Sequence, residues 1–316
     1  MTRVLIIAAV FPPYNDSAAA RPFHFVKHLP EFGYNPLVVS QRDFLPFSPS
    51  DADLLKELNG CRVMHVGPLG SGACGRRLLS PVDRLAHSLT GHDRLGTDGF
   101  RAVLKLVLGA KEWKSLAIMT SLKLFRRPGF DLIWATGPPW DALKVGYVVS
   151  MATGRPFVAD LRDPWTYGVL WTPQVQKCPE AYRRWDRRVL RKASRIVFTS
   201  PLTTEIMRGR SDKAVAERMT TITNGFADGP RDAMPRAKNK KCVFSYVGSL
   251  MRQHRWPGIL FEGFRLACED PSLRAEVRLK CIGRMSGYER DVSRYEIEDV
   301  VECVGQVSSK ESLEFM

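Results

Sequence analysis

Residues Pro156–Trp165 read PFVADLRDPW, and this stretch joins an apolar run to three charged side chains. The apolar residues 157–159 predict the end of a buried strand, and Asp160, Arg162 and Asp163 follow directly. In an open parallel α/β sheet, ligands bind outside the carboxyl ends of the strands. The stretch therefore predicts an α/β fold with the floor of an active site at that edge.

The first forty residues predict one βαβ unit. Residues 4–8 form a continuous aliphatic run typical of a buried strand, residues 18–29 carry apolar side chains at helical spacing, and residues 37–39 form a second strand. Strand, helix and strand in this order indicate a parallel sheet. The loop before the helix is predicted to present backbone N–H groups to phosphate. The loop has no G-x-G-x-x-G pattern, which argues against a nicotinamide dehydrogenase.

Further apolar runs continue this pattern up to a break in composition. DLIWAT, residues 131–136, predicts a strand that ends at Gly137, and more strands are expected at 195–199 and 220–223. Residues 228–241 are rich in Pro, Gly, Lys and Arg, and we interpret them as an interdomain linker. The pattern restarts with predicted strands at 243–247, 277–282 and 300–304. We therefore expect a first domain over residues 1–227 and a second domain beginning at residue 242.

Composition limits the class of protein. The chain has 316 residues, 44% of them hydrophobic and 25% charged, which fits a globular protein of two domains. No apolar run approaches the ~18 to 20 residues that span a bilayer, and the N-terminus has no secretory signal pattern, so we expect a cytoplasmic protein. The seven cysteines form no C-x-x-C pair, and there is no His cluster at ligand spacing. We expect neither disulfides nor a metal site.

The charge balance points to an anionic partner. The net charge is +14 and the pI is about 9.7, which suits nucleic acid, an anionic membrane surface or a phosphorylated substrate. The basic residues are scattered, without the interleaved aromatic residues of a single-strand binder, so no nucleic acid is expected. Within residues 100–125, apolar and basic residues alternate in the manner of a helix that lies on a membrane. The alternative is an ordinary outer helix packed on the sheet.

Several motifs in order resemble bacterial glycosyltransferases of family 4. These motifs are FPP with an Arg following (Arg21), HLPEFGYNPLVVS (28–40), DLIWATGPP (131–139), FVADLRDPW (157–165), RKASRIVFTS (191–200), ITNGF (222–226) and YVGSL (246–250). The resemblance covers nearly the whole chain. It implies the GT-B fold, in which two Rossmann-like domains with parallel sheets face a cleft.

The resemblance also implies a function. Such enzymes move a sugar from a nucleotide-diphosphate donor to an acceptor with retention of anomeric configuration, without a metal and without a cofactor, because the nucleotide sugar is a co-substrate. We expect a lipid-linked or polysaccharide acceptor in cell-envelope glycan synthesis, and peripheral association with the inner face of the membrane.

The expected donor site departs from the family pattern. Asn15, Asp16 and Ser17 occupy the N-terminal loop where many relatives have a Gly-Gly pair. In the second domain, Ser249 and His254 stand where relatives often have Arg and Lys, so we assign the phosphate clamp to Arg252 and Arg255. Ser249 remains a further candidate for binding the donor. The acidic pair of the family would lie beyond Met316, and we expect a C-terminally incomplete chain.

The chemistry of sugar transfer suggests roles for the charged stretch. A carboxylate can orient an acceptor hydroxyl or stabilise an oxocarbenium-like state, and Asp163 is the first candidate and Asp160 the second. Arg162 is a candidate for stabilising charge on the departing diphosphate. The residues predicted on the acceptor side are Arg21, Gly137 and Trp165.

Two hypotheses from other classes remain open. In the first, the chain is an inactive or regulatory GT-B-like module. In the second, it is a basic protein that binds nucleic acid. A nucleotide-sugar epimerase on the same architecture is less favoured, because the RDPW stretch and the basic segment point to a bulky acceptor.

Overall fold

The chain folds into two units. The computed structural model describes residues 1–14, 16–42, 53–58, 60–67, 113–167, 178–225, 241–248, 258–283, 289–305, 307 and 311. The first unit is Met1–Gly225 and the second is Phe226–Met316. The predicted linker at 228–241 lies outside the described residues except for Lys241.

The first unit is built on a parallel sheet of seven described strands in the order β3-β2-β1-β4-β5-β6-β7. The strands are β1 (Thr2–Ala8), β2 (Tyr34–Gln41), β3 (Arg62–Val66), β4 (Leu132–Gly137), β5 (Phe157–Leu161), β6 (Arg195–Phe198) and β7 (Met219–Thr221). Each neighbouring pair is parallel, and the order reverses direction between β1 and β4. This is the doubly wound arrangement, in which ligands bind at the carboxyl ends of the strands where the order reverses.

Seven described helices connect these strands. They are α1 (Ser17–His28), α2 (Asp53–Lys56), α3 (Trp113–Arg126), α4 (Asp141–Thr153), α5 (Glu180–Lys192), α6 (Pro201–Gly209) and α7 (Lys213–Ala216). After α1, a 3₁₀ turn over Leu29–Phe32 ends at Gly33, which has φ 80. The predicted role of Gly33 as a C-cap is thus confirmed, although it closes the short turn and not α1 itself.

Hydrophobic cores cover both faces of the sheet. On one face, side chains of α1 and α2 pack against the alternate residues Val4, Ile6 and Ala8 of β1. On the other face, side chains of α3 to α7 pack against Leu5, Ile7 and the strands beside them. Because successive strand residues point to opposite faces, burial on both sides explains why the strands read as continuous apolar runs.

The described part of residues 100–125 is a core-packed helix. Residues 113–126 form α3, whose Trp113, Ala117, Ile118 and Leu124 are buried in the main core. For these residues the outer-helix alternative is confirmed and the membrane interpretation is wrong, because their apolar side already packs against the sheet. Residues 100–112 lie outside the described residues.

The second unit has a parallel sheet of its own. Its described strands are β8 (Cys242–Val247), β9 (Val277–Ile282) and β10 (Val301–Gly305), in the order β10-β9-β8. Its described helices are α8 (Gly258–Ala267), α9 (Pro271–Glu276) and α10 (Glu289–Arg294). Side chains including Phe261, Phe264 and Leu279 form its core. The predicted α/β class with two parallel sheets is confirmed, whereas α7, α9 and α10 were not predicted.

Candidate active site

A buried ion pair lies at the carboxyl edge of the first sheet. Arg21 on α1 donates from Nη2 to Oδ1 of Asp160 at 2.9 Å, and from Nε to Oδ2 at 3.1 Å. Arg21 is 7% exposed and Asp160 is 0% exposed. Ion pairs removed from water are stable only where hydrogen bonds satisfy both partners. The surrounding contacts provide those bonds.

The adjacent strand β4 provides a further hydrogen-bond donor to Asp160. Thr136 lies beside Asp160 in the register of β4 and β5, and its hydroxyl donates to Oδ2 at 2.7 Å. Thr136 ends the strand that was predicted from DLIWAT. The two strands thus place a hydroxyl and a carboxylate side by side because their carboxyl ends meet at one edge.

The remaining donors of Arg21 reach the end of the first unit. Nη1 donates to the carbonyl oxygen of Thr223 at 3.0 Å and to Oδ1 of Asn224 at 3.2 Å. The guanidinium also lies 5.0 Å from the centre of the Phe25 ring. Arg21 therefore connects α1, the end of β5 and the segment that follows β7.

Arg162 is held in place from three directions. Its backbone N–H donates to the carbonyl of Gly137 at 2.8 Å, its carbonyl accepts from the hydroxyl of Thr199 at 2.8 Å, and its Nη1 donates to the carbonyl of Ala18. Burial lowers the pKa of Arg162 from its usual value, while Asp160 and Asp163 act in the opposite direction. An arginine stays charged at neutral pH, so the site has a fixed cation between β5 and the first turn of α1.

Asp163 is the exposed carboxylate of the stretch. Three charged side chains were predicted to face a cleft. Asp160 is instead fully enclosed, Arg162 is half-buried, and Asp163 is the one of the three that is exposed. An enclosed carboxylate that accepts three donors is suited to holding neighbours in position. An exposed carboxylate at the end of a strand can accept a proton or stabilise positive charge.

The residues after Asp163 anchor this segment to α4 and α5. Trp165 is 0% exposed and stacks on Trp140 with ring centres 5.9 Å apart. It also contacts Tyr182, and the ammonium of Lys144 lies 5.8 Å from its ring centre. The predicted acceptor-side Trp165 thus lies in the core, where it fixes the segment that carries Asp163.

Thr166 adds a hydrogen bond to a second buried carboxylate. Its hydroxyl donates to Oδ2 of Asp186 on α5 at 2.7 Å, and Oδ1 of Asp186 has no partner among the described residues. Burial raises the pKa of Asp186 to about 6, although the bond from Thr166 and the charge of Arg187 oppose the shift. Sequence reasoning missed Asp186, because its burial depends on how α5 is turned against the sheet.

The predicted donor residues are only partly described. Asn15, Ser249, Arg252 and Arg255 lie outside the described residues. Asp16 accepts a hydrogen bond from the N–H of Ala18 at 2.8 Å, so its carboxylate caps α1, and the neighbouring Ser17 is exposed. The phosphate-binding roles of these residues stay predictions.

Gly137 is the last residue of β4 and lies against the start of α4. An added Cβ at Gly137 would lie 3.3 Å from both Cδ1 of Leu143 and the carbonyl oxygen of Pro139, so the position has little room for a side chain. Sequence reasoning did not identify Thr136 and Asn224 as site residues. The available signals were the hydroxyl at the end of DLIWAT, for Thr136, and the polar side chain before Gly225 in ITNGF, for Asn224.

The doubly wound sheet with charged residues at its carboxyl edge, followed by a second parallel α/β unit, defines the class of Rossmann-like proteins of two units. The model of the glycosyl transferase 4-like domain matches residues 19–225, which is most of the chain. The chain belongs to this glycosyltransferase family, as its sequence motifs predict.

Solved structures show the same fold. HepE of Anabaena, in complex with UDP and glucose, is 16% identical with a TM-score of 0.59, over 99% of this chain and 71% of that one. The trehalose-6-phosphate phosphatase N-terminal domain of Candida albicans is 13% identical with a TM-score of 0.57, over 100% and 75%. A putative UDP-N-acetylglucosamine 2-epimerase of Listeria monocytogenes is 8% identical with a TM-score of 0.53, over 99% and 71%. The GT-B assignment is confirmed by these neighbours.

No curated protein matches the chain by sequence. Among the helices that the structure describes, none is long and apolar enough to cross a membrane. In the same part of the chain, no three His, Cys, Asp or Glu side chains are grouped so that they could hold a metal ion.

Proposed function

We propose that the protein is a retaining glycosyltransferase that moves a sugar from a nucleotide-diphosphate donor to a lipid-linked or polysaccharide acceptor in cell-envelope glycan synthesis. The observation that carries the proposal is the exposed carboxylate of Asp163, which follows β5 and the anchored Arg162 at the carboxyl edge of the sheet. Membership of the glycosyl transferase 4-like family supports it. So does the bound UDP and glucose of HepE, a structural neighbour.

The proposed donor is a UDP- or GDP-sugar whose diphosphate is held by Arg252, Arg255 and Ser249, with the loop of Asn15, Asp16 and Ser17 as a further contact. Departure of the nucleoside diphosphate leaves negative charge on phosphate oxygens. Oriented guanidinium groups stabilise such charge without a metal. Arg162 is suited to the same task, because two hydrogen bonds of its backbone anchor the residue and its Nη1 donates to the carbonyl of Ala18.

Asp163 acts on the acceptor side in this mechanism. Its carboxylate orients the acceptor hydroxyl on the face from which the diphosphate leaves, and it stabilises the positive charge that develops at the anomeric carbon. The leaving phosphate takes the hydroxyl proton, so the new bond forms on the same face and the configuration is retained. Asp160 is held by Arg21 and Thr136 at the end of β5, three residues before Asp163, and so fixes the strand end from which the Asp163 segment starts.

The location that suits this function is the cytoplasmic face of the membrane. Nucleotide sugars carry diphosphates that do not cross a bilayer unaided, and a lipid-linked acceptor is confined to the bilayer surface. A protein that is peripheral at the inner face would meet both substrates.

The test begins with the purified protein and a panel of UDP- and GDP-sugars with a lipid-linked acceptor. We expect transfer that persists in EDTA and a product whose anomeric configuration, read by NMR, matches the donor. Asp163→Asn should lower kcat by about 10² to 10⁴-fold with little change in KM for the donor. Arg252→Ala and Arg255→Ala should mainly raise KM for the donor.

Glu205→Gln is the matched control, because Glu205 is an exposed carboxylate on α6 in the same unit. It should leave both constants unchanged. If Asp163→Asn is as mild as Glu205→Gln, Asp163 has no role in turnover. If no donor is hydrolysed or transferred by the purified protein, the chain is an inactive or regulatory module instead.

A further inference from the structure

Helix α5 carries a continuous row of arginines on its outer side. We call this row the arginine face, and it consists of Arg183, Arg184, Arg187, Arg188 and Arg191, all of which are exposed. Residues three and four apart lie on the same side of a helix. The spacing of these five residues therefore places every guanidinium on one side.

The opposite side of α5 packs against the core of the first unit. Asp186, Val189 and Leu190 are buried, and Tyr182 and Trp185 pack against the main core. The arginine face cannot therefore rotate inward without breaking the core. Its orientation toward solvent is fixed by the fold.

Acidic neighbours neutralise little of the arginine face. Arg187 pairs with Glu180 at 2.9 Å and Arg191 pairs with Asp212 at 3.5 Å, and all four side chains are more than half exposed. Exposed pairs of this kind are weak and exchange with solvent ions. No carboxylate pairs with Arg184 or Arg188 within the described ranges, so the face keeps a net positive charge.

The chemistry of the face selects its partner. Guanidinium groups bind phosphate oxygens with paired hydrogen bonds. Tyr182 and Trp185 of α5 are half-buried against the main core, and the guanidinium of Arg188 lies 5.4 Å from the centre of the Trp185 ring. No aromatic side chain of α5 is exposed, so the row offers no stacking platform for the bases of a single strand. A row of cations on a convex helix matches a surface that presents many phosphates in a plane.

We propose that the arginine face docks the protein on the anionic headgroups of a phospholipid bilayer. The inner side of the same helix holds Trp165 and Thr166, which directly follow Asp163 and Pro164. Docking thus places α5 between the bilayer and the segment that carries Asp163, so that this segment lies one helix diameter (~10 Å) from the headgroups, where a lipid-linked acceptor can reach it. That last step rests on the proposed function, whereas the docking itself does not.

The arginine face lies on a helix outside residues 100–125, the segment for which the sequence left a membrane surface as one of two alternatives. The apolar side of α3 is buried in the core, so residues 113–126 have no apolar face left to insert. Attraction at α5 is instead electrostatic, and it should weaken as salt screens the charges.

The test measures sedimentation of the full chain with vesicles made of equal parts phosphatidylcholine and phosphatidylglycerol, and with vesicles of phosphatidylcholine alone. We expect binding to the anionic vesicles only, with loss at high salt. The double variant Arg184→Gln, Arg188→Gln should weaken binding about thirtyfold, on the basis of about fivefold for each cation near the surface. Arg184→Lys with Arg188→Lys should restore most of it.

The matched control is Arg126→Gln with Arg127→Gln. Both residues are exposed and their removal changes the net charge equally. They lie at the end of α3, which α4 separates from α5. Because charges beyond about 10 Å are screened at ordinary salt, this control should stay within about twofold of the parent.

Three results would overturn the docking proposal. One is equal binding to both kinds of vesicle, and another is an equal loss in the α5 and α3 double variants. The third is binding to a DNA homopolymer with a steep salt slope and no binding to vesicles, which would identify the face as a nucleic-acid site. Transfer to a water-soluble acceptor should be unchanged by Arg184→Gln, Arg188→Gln, so an absence of transfer in every form would reject the proposed function and leave docking intact.

Discussion

Arg21 and Asp160 form a buried ion pair across 139 positions of sequence, with Arg21 Nη2 at 2.9 Å from Asp160 Oδ1. Arg21 lies on the first helix, and Asp160 lies at the end of the fifth strand. The pair holds the floor of the candidate active site, since Thr136, Thr223 and Asn224 are all bonded to one of its two partners.

Removing the cation of this pair should destabilise the first unit strongly. Arg21→Ala leaves the carboxylate of Asp160 enclosed without its partner, and we expect a loss of about 3 to 5 kcal/mol in the free energy of unfolding. Arg126→Ala, at an exposed position, should change it by less than about 0.5 kcal/mol. Urea unfolding followed by circular dichroism measures both, and similar values for the two variants would contradict a structural role for the pair.

The hydroxyl of Thr136 should account for part of the same stability. Thr136→Val keeps the shape of the side chain and removes the donor to Asp160 Oδ2, so we expect a loss of about 1.5 to 3 kcal/mol, as for hydrogen bonds to charged groups. Thr136→Ser retains the hydroxyl and should lose less. The same unfolding experiment tests this, and a stable Thr136→Val protein would show that Arg21 alone satisfies Asp160.

Stability should fall as the pH rises through the titration of Asp186. The pKa of Asp186 in the folded protein is about 6, against a usual value of 3.8. The folded form therefore binds the proton more tightly, and the stabilisation from the neutral carboxyl is lost as the pH rises from 3.8 to about 6. At neutral pH, where Asp186 is ionised, the free energy of unfolding is therefore about 3 kcal/mol lower than it would be with the carboxyl group protonated.

Asp186→Asn removes this charge and keeps an oxygen that can accept from Thr166. We expect the variant to be more stable than the parent at neutral pH, and similar to it below pH 3.8, the usual pKa of the group. Urea unfolding at a series of pH values gives the comparison. A parent and variant with parallel curves would show that Asp186 does not titrate in this range.

Gly146 should not tolerate a methyl group although it lies within a helix. A Cβ at Gly146 of α4 would lie 2.7 Å from the Phe157 ring and 2.8 Å from the Ala135 side chain. Overpacking of this kind costs about 1 to 3 kcal/mol, which exceeds the ~1 kcal/mol that alanine gains over glycine in a helix.

Gly263 is the matched control, because it lies inside α8 and a Cβ there meets nothing within 4 Å. Gly263→Ala should stabilise the second unit by up to about 1 kcal/mol. Thermal unfolding of the two variants should therefore shift in opposite directions, and a stabilised Gly146→Ala would show that α4 moves away from the sheet at low cost.

The order of the elements could be predicted from the sequence because the central strands of the first sheet, β1, β4 and β5, are buried on both faces. Residues 132–135 and 157–159 are uninterrupted apolar runs, and the polar residues Thr136 and Asp160 come only near the carboxyl ends of the strands, so these runs mark β4 and β5 directly. Short helices such as α7 and α9 were missed, since four to six residues are too few to show helical periodicity.

The sequence by itself determined the parallel α/β class, the family, and the location of the charged stretch at a strand end. These follow from periodicity and from motifs, both of which are local properties of the chain. The tertiary structure decided which charged side chains are buried and which are exposed. Only packing shows that Asp160 is enclosed by Arg21 and Thr136 and that Asp163 reaches solvent. Only packing shows that the apolar face of α3 is buried in the core and that the arginines of α5 are exposed. The reason is that burial depends on residues that are distant in sequence and meet only when the sheet forms.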